Sequence, residues 1–377
     1  MSGVTEGRKR VLVLAGGVSG EHAISLRSAA TVIDGLEAAG HSVTTVGITR
    51  EGTWLLGDLR RLVDRARTEL VEVLPRSGRP VALVNDGSGP RLVALDGSLV
   101  DAALAHFDLV FPVLHGPGGE DGTVQGLLEI AGARYVGAGP TASALAMDKL
   151  AMKTMCAGAA VPQVEFLSAG RMSATELAAR IEQSFGMPCF VKPANLGSSV
   201  GISRVRTTSE LPTALAEARR WDPRVIIERA VDAREIEVAL LGNEAEAEVS
   251  PPGEIVSAKG FYDFASKYVD ADDARLIAPA ELPATATEEI RAIALEVWEM
   301  IGCRGMARCD FFVERASGRV LFNEINTIPG MTSISMFPRL FALVGLDNAR
   351  LFDRLVQLAL AAGTESLSPR TGERAKI

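Results

Sequence analysis

The chain of 377 residues has few cysteines and histidines, and these lack the spacing that disulfide-rich and zinc-binding proteins depend on. Its four cysteines, at positions 156, 189, 303 and 309, form no C-x-x-C pair, and its four histidines show no zinc-binding spacing. Two of the cysteines stand inside apolar, strand-like runs. Cysteines of this kind are typical of buried free thiols in a reducing environment, so we expect a cytoplasmic protein.

Long apolar runs and an excess of positive charge are also missing. No apolar run approaches the roughly 20 residues that a transmembrane helix requires. Basic residues 8–10 precede the apolar run 11–15, but this run is too short for a signal peptide and favours a first β-strand. The net charge of −8 argues against nucleic-acid binding. We therefore expect neither a membrane nor a nucleic acid as a partner.

The first third of the chain alternates between strand and helix patterns. Apolar runs at 11–15, 43–48 and 107–114 are separated by helical patterns at 24–39 and 123–131. This rhythm predicts an α/β fold with a doubly wound parallel sheet. The Gly-, Pro- and Ser-rich residues 56–100 are less regular, and we interpret them as a surface excursion.

The rhythm changes near residue 140, which is consistent with a chain too long for a single core. A helical composition covers residues 143–159. Short strand patterns then mix with helical ones, which predicts an α+β arrangement in the second half. The predicted strands are 189–192, 225–228, 235–241 and 319–324, and the predicted helices are 209–220 and 287–301.

The segment FNEINTIPGM at 322–331 carries a possible metal site. Glu324 and Asn326 are two residues apart, so on a strand both side chains share one face. Asp310 lies in a second strand-like run, ARCDFFV at 307–313. Together the three side chains form an all-oxygen set that suits Mg²⁺. A hairpin with polar residues on its wet face would produce the same pattern.

Two further segments suit a nucleotide. Lys192 begins KPANLGSSVG, where a loop of small residues could place backbone N–H groups on phosphate oxygens. The lysine precedes the glycines, so this is not a Walker A loop, and an ordinary hairpin fits equally well. Lys149 offers a second cation from a helix. Residues 228–231, with Glu235, could contact adenine and ribose, although a surface charge cluster would look similar.

Taken in order, these motifs resemble those of ATP-grasp enzymes and, more closely, the D-alanine–D-alanine ligase family along nearly the whole chain. Arg229 departs from that pattern where lysine is common, and Met336 where leucine is frequent. The matching stretches are GGVSGEH (16–22), HGPGGEDGT (115–123), MDK (147–149), GSSVG (197–201), FYDFASKY (261–268) and residues 323–335.

The resemblance implies that ATP lies between the central and C-terminal domains with two Mg²⁺ or Mn²⁺ ions. Lys149 and Lys192 would neutralise the phosphates. The implied metal ligands are Asp310, Glu324 and Asn326. The implied nucleotide-binding residues are Lys149, Lys192, Ser199, Glu228, Arg229, Val231, Glu235, Phe312 and Asn323.

The resemblance also implies a reaction in two steps. The carboxylate of one D-alanine attacks the γ-phosphorus of ATP, and the amine of a second D-alanine attacks the resulting acyl phosphate. The product, D-alanyl-D-alanine, is a peptidoglycan precursor. The implied catalytic residues are Glu21, Ser198, Lys267, Tyr268, Arg308, Gly330 and Ser335.

Each of these residues has an implied role. Glu21 would hold the first ammonium group, whereas Arg308 and the Gly330 N–H would bind the oxyanion. Lys267 and Ser335 would hold the second carboxylate. Ser198 and Tyr268 would link to Glu21 and close the site, and the polar residues 253–276 would form a mobile lid.

By the same resemblance we expect three domains, at 1–142, 143–232 and 233–377, and a homodimer formed through the first. Two rival functions remain: a D-alanine–D-lactate or D-serine ligase, and an ATP-grasp ligase of a specialised pathway. Tyr268 favours the dipeptide product. A dinucleotide-binding module is disfavoured because GGVSG lacks the G-x-G-x-x-G spacing and no acidic residue ends the strand 43–48.

Overall fold

The computed structural model describes residues 7–57, 59–197, 200–243, 246–257, 274–332 and 334–362, and the structural statements below concern these residues. Within those ranges, no helix has both the length and the apolar character needed to cross a membrane.

The N-terminal region is built around β1 (Arg10–Gly16), which pairs in parallel with β2 (Ser42–Ile48) and β6 (Leu109–Val113). The central strand is apolar because both faces of such a sheet are covered. Helix α1 (His22–Ala38) connects β1 to β2 and packs on both strands. The predicted parallel sheet is therefore confirmed for these three strands.

The interpretation of residues 56–100 as a surface excursion was wrong. They contribute to three antiparallel strands that extend the sheet in the order β5-β4-β3-β2-β1-β6. The strands at 79–85 and 90–94 are only partly buried, so they lack the continuous apolar run that reveals a fully covered strand. The elements of this segment are β3 (Trp54–Leu56), α2 (Arg60–Ala66), β4 (Arg79–Asn85) and β5 (Pro90–Ala94).

The N-terminal region continues with α3 (Ala102–Ala105) and α4 (Thr123–Ile130). Beyond α4, Tyr135 forms an isolated parallel bridge with Val110 of β6. The single helical stretch expected at 143–159 is two helices, α5 (Pro140–Met147) and α6 (Lys149–Gly158). Asp148 separates them because its carboxylate accepts the first N–H groups of α6 and caps that helix.

A four-stranded antiparallel sheet follows, in the order β7-β10-β8-β9. Residues of α7 and α8 share one hydrophobic cluster with this sheet. Its elements are β7 (Phe166–Ser168), α7 (Ala174–Ser184), β8 (Cys189–Pro193), β9 (Ser203–Val205), α8 (Leu211–Trp221) and β10 (Val225–Arg229).

The C-terminal sheet has the order β14-β13-β11-β15-β16, with β12 paired to β11, and all of its pairings are antiparallel. The two ends of the expected lid are the paired strands β13 and β14, and residues 258–273 between them lie outside the described residues. The elements are β11 (Ala233–Asn243), β12 (Glu248–Val249), β13 (Gly253–Ser257), β14 (Ala274–Ile277), α9 (Ala284–Met300), β15 (Arg304–Glu314), β16 (Val320–Asn326), α10 (Met336–Ala342) and α11 (Asn348–Ala362).

Helix α11 returns to the N-terminal sheet and packs against α1 and β6. Phe352 is fully buried and meets Phe111 edge-to-face, with 6.0 Å between the ring centres. A Cβ atom at Gly35 of α1 would lie 2.3 Å from the Phe352 ring, so only glycine allows this close approach. One hydrophobic cluster therefore includes residues of both α1 and α11.

We expect Phe352→Ala to lower the midpoint of thermal unfolding markedly, because removing a buried aromatic ring costs about 3–5 kcal/mol. The matched control on the same helix is Arg354→Ala, whose exposed ion pair with Glu248 contributes little. Equal midpoints for the two variants would show that this junction does not stabilise the fold. Differential scanning calorimetry measures both.

Candidate active site

The ladder between β15 and β16 forms the floor of the site. Asp310 lies directly opposite Glu324, and Arg308 lies opposite Asn326. Cys309 and Phe311, which alternate with the polar residues of β15, are buried in the core. The polar side chains therefore share the other face of the strand. The predicted meeting of Asp310, Glu324 and Asn326 on one face is therefore present in the structure.

A β-bulge widens this polar face. The register shifts after Asp310, so that Phe311 pairs with Phe322 and Asn323 is the extra residue. As a result, the neighbours Asn323 and Glu324 both line a cavity, whereas Phe322 and Ile325 are both buried in the core. Strict alternation along a strand would place Asn323 and Glu324 on opposite faces.

Two adjoining cavities contain every predicted site residue that the structure describes. The first cavity, of about 410 Å³, includes Glu21, Arg308, Asn326, Gly330 and Ser335 in its wall. The second cavity, of about 540 Å³, includes the expected nucleotide residues Lys192, Glu228, Arg229, Val231, Glu235, Phe312 and Asn323, together with Asp310. Lys149 and Glu324 line both cavities. Four predicted residues, Ser198, Ser199, Lys267 and Tyr268, lie outside the described residues.

The predicted metal-binding carboxylates are held by cations. The Arg308 guanidinium donates to both carboxylate oxygens of Asp310, through Nε and Nη2, each at 2.7 Å. Asn326 Nδ2 also donates to Asp310, at 3.2 Å. Lys149 Nζ lies 3.4 Å from Glu324 Oε2 and donates to the carbonyl of Leu196 at 2.8 Å.

This oxygen set fits a hard divalent cation. In the described part of the chain, no group of three or more His, Cys, Asp and Glu side chains is arranged to hold a metal ion. The set formed by Asp310, Glu324 and Asn326 has two carboxylates and one carboxamide. Mg²⁺ is commonly bound by one or two carboxylates, with water and substrate phosphates as the other ligands. A metal ion here would therefore need a phosphate-bearing ligand in the second cavity.

A buried group of charges lies at the second cavity, where Lys192 and Glu228 form part of the wall. Lys192 on β8 donates to Glu228 Oε2 on β10 at 2.6 Å, a diagonal pair across the two strands. Lys153 Nζ lies 3.6 Å from Glu228 Oε1. Burial would raise the pKa of Glu228, but the ammonium groups of Lys153 and Lys192 outweigh this effect and lower the pKa to about 2. Glu228 is therefore ionised throughout the physiological range.

Lys153 was not among the residues predicted from the sequence. A usable signal was present, because Lys153 follows Lys149 by four residues and therefore lies on the same face of α6. Arg229 was identified, but its guanidinium is held by Glu165 at 2.5 Å and by Glu314 at 2.9 Å. Recognition of a ligand at this position would therefore use mainly backbone groups.

The Pro-Gly loop at 327–331 is held by two residues to which the sequence analysis assigned no role, His115 and Glu120. His115 is buried, and its ring nitrogens lie 3.1 Å from the Ile328 carbonyl and 3.0 Å from Ser28 Oγ. Glu120 accepts hydrogen bonds from the N–H groups of Gly116, at 2.7 Å, and Ile328, at 3.4 Å. Both residues belong to the glycine-rich motif at 115–123, which was the available signal.

Glu120 makes the free energy of unfolding depend on pH. Burial, and then the nearby charge of Glu21, raises the pKa of Glu120 to about 8. Between its ordinary value and pH 8, the unfolded chain releases this proton and the folded chain keeps it. The contribution of Glu120 to the free energy of unfolding therefore falls as the pH rises through this range.

We expect Glu120→Gln to flatten the pH dependence of stability. The free energy of unfolding of the variant minus that of the parent should increase as the pH rises from 5.5 to 8, because the variant carries no titrating group at this position. Chemical denaturation at several pH values measures the difference. Parallel curves for the two proteins would show that Glu120 titrates normally.

Comparisons with known proteins agree with this architecture. Residues 10–138 match the family described as D-ala D-ala ligase N-terminus, and residues 155–357 match D-ala D-ala ligase C-terminus. A D-alanine–D-alanine ligase of Caldicellulosiruptor bescii is 43% identical, covering 95% of this chain and 97% of the relative. One from Mycobacterium sp. strain KMS is 45% identical, covering 95% and 98%.

Solved structures show the same likeness. The D-alanine–D-alanine ligase from Coxiella burnetii superposes with a TM-score of 0.78 at 34% identity, covering 94% of this chain and 96% of that one. VanG D-Ala:D-Ser ligase from Enterococcus faecalis superposes with a TM-score of 0.80 at 32% identity, covering 94% and 100%. The resemblance seen in the sequence motifs is confirmed: the chain belongs to the D-alanine–D-alanine ligase family.

Proposed function

We propose that the protein joins two D-alanine molecules into D-alanyl-D-alanine, with cleavage of ATP to ADP and phosphate, for peptidoglycan precursor synthesis. Family membership supports this assignment. The observation that carries it is the position of Glu324 and Lys149, which line both cavities. A phosphoryl group held there from the second cavity would lie beside a carboxylate substrate in the first.

ATP would occupy the second cavity. Lys149 and Lys192 bind its phosphates, Glu228 and Glu235 hold adenosine, and the remaining contacts come from Ser199, Arg229, Val231, Phe312 and Asn323. Asp310, Glu324 and Asn326 would hold two Mg²⁺ or Mn²⁺ ions, which neutralise the phosphate charge when bound. Arg308 lies against Asp310 and Lys149 against Glu324, so both carboxylates have a cation beside them.

The two amino acids would occupy the first cavity. Glu21 orients the ammonium group of the first D-alanine, whose carboxylate attacks the γ-phosphorus. Arg308 and the Gly330 N–H donate to the oxyanion formed when the second amine attacks. Asp310 holds the Arg308 guanidinium through two hydrogen bonds, so this donor is preorganised.

The second D-alanine would bind by its carboxylate to Ser335 and Lys267. Gly330 suits this crowded place, because a Cβ atom there would lie 2.9 Å from Ser335 Oγ. Ser198 and Tyr268 would connect to Glu21, and the segment 253–276 would exclude water from the acyl phosphate. The wider proposal includes three domains, at 1–142, 143–232 and 233–377, and a homodimer through the first.

We also propose a cytoplasmic location, with neither a membrane nor a nucleic acid as a partner. The four cysteines support the location, because all four are buried free thiols, as expected in a reducing compartment.

The choice of second substrate tests the proposal against its nearest rival. We expect D-alanine alone to stimulate phosphate release and to yield a product with the mass of the dipeptide. D-lactate or D-serine added with D-alanine should give no comparable product at neutral pH. Product mass spectrometry decides the matter, and a dominant depsipeptide or D-alanyl-D-serine product would overturn the assignment.

Asp310→Asn tests the metal set. We expect turnover to fall by at least about 100-fold, because the charge that would hold the metal is lost from the phosphoryl-transfer site. The fold should persist, since Glu237 lies 3.3 Å from Arg308 Nε and still compensates its charge. Asp64→Asn on the exposed face of α2 is the control. Unchanged turnover in Asp310→Asn would exclude this metal assignment.

A further inference from the structure

Lys153 is a buried lysine that none of the roles above uses. Its side chain is 1% exposed, and that of its partner Glu228 is 3% exposed. Nζ of Lys153 and Oε1 of Glu228 have no hydrogen-bond partner among the described residues, and the two atoms face each other at 3.6 Å. A buried ammonium group is costly unless a charge compensates it, so the position of Lys153 is tied to Glu228.

Glu228 contacts two lysines, of which only one is accessible from the second cavity. Lys192 donates to one carboxylate oxygen at 2.6 Å, and Lys153 lies against the other. Lys192 lines the second cavity, whereas Lys153 is enclosed behind it. Lys192 is therefore the one of the two that can leave Glu228 for a ligand in the cavity.

The transfer of Lys192 to a ligand has a consequence for Glu228. A buried carboxylate that loses its sole counter-ion is strongly destabilised. With Lys153 in place, Glu228 keeps one cation when Lys192 moves. With both lysines protonated, the three side chains carry one net positive charge, which also favours an anionic ligand beside them.

We propose that Lys153 is a positioning residue for ATP: it stays with Glu228 as a permanent counter-ion and thereby frees Lys192 to bind the phosphates. This inference rests on the nucleotide-binding role proposed for the second cavity. Without Lys153, Glu228 would retain Lys192, and ATP would have to break that pair in order to bind.

The test compares Lys153→Met and Lys153→Arg in the full-length enzyme. Calorimetric titration with MgADP, without D-alanine, measures nucleotide affinity directly, and steady-state kinetics give KM for ATP and for D-alanine. We expect Lys153→Met to weaken MgADP binding and raise KM for ATP by about tenfold, with KM for D-alanine changed by less than about twofold. Lys153→Arg should restore most of the loss. Lys9→Met, outside both cavities, is the matched control.

Two results would overturn the inference. One is a Lys153→Met variant that binds MgADP as the parent does and loses only thermal stability, which would make Lys153 a structural residue alone. The other is a failure of Lys153→Arg to restore nucleotide binding, which would mean that the charge at this position is not what matters.

A double variant keeps the test decisive if Lys153→Met does not fold. In Lys153→Met with Glu228→Gln, no buried carboxylate is left to hold Lys192. Its MgADP affinity should equal that of Glu228→Gln alone, because the two residues act as one unit. A clearly weaker double variant would contradict the proposal. A parent enzyme that binds MgADP but fails to join D-alanine would refute the proposed function and leave the role of Lys153 standing.

Discussion

The pairing of β15 with β16 is the constraint on which the site depends. The register sets Asp310 opposite Glu324, and the bulge at Asn323 turns one further polar side chain toward the same face. A slip of one residue would move these carboxylates into the core and bring Phe322 out of it. The hydrophobic residues beneath the ladder therefore fix the register, because Cys309, Phe311 and Phe322 are fully buried only in this alignment.

The charges above that ladder are balanced in pairs that a ligand can rearrange. Arg308 neutralises Asp310, Lys149 lies beside Glu324, and Lys192 bonds to Glu228. Buried charges are tolerated only when they are compensated, so each of these cations is held beside an anion. Such pairs keep the side chains oriented toward the cavities, where phosphates and metal ions would take over the same charges.

The parts of this architecture that follow local rules could be predicted from the sequence. The spacing of Glu324 and Asn326 fixed their common face, and the apolar run at 11–15 marked the central strand. The bulge at Asn323 could not be predicted, because it depends on the partner strand. The break at Asp148 has a local cause, a helix cap, but the composition of 143–159 concealed it. Lys153 was missed because its environment is built from β10, which lies distant in the sequence.

The contacts of the loop at 327–331 show why the site depends on residues that are far apart in the sequence. The Gly330 N–H belongs to this loop, yet the hydrogen bonds that hold the loop come from the N-terminal region. The Met331 N–H donates to Ser28 Oγ, which contacts His115, while the other nitrogen of His115 meets the Ile328 carbonyl. Burial lowers the pKa of His115, so the ring is neutral and each nitrogen has one fixed role: donor to the carbonyl, acceptor from the hydroxyl. The geometry of the proposed oxyanion donor is therefore set by the packing of the first sheet as much as by the strand that precedes it.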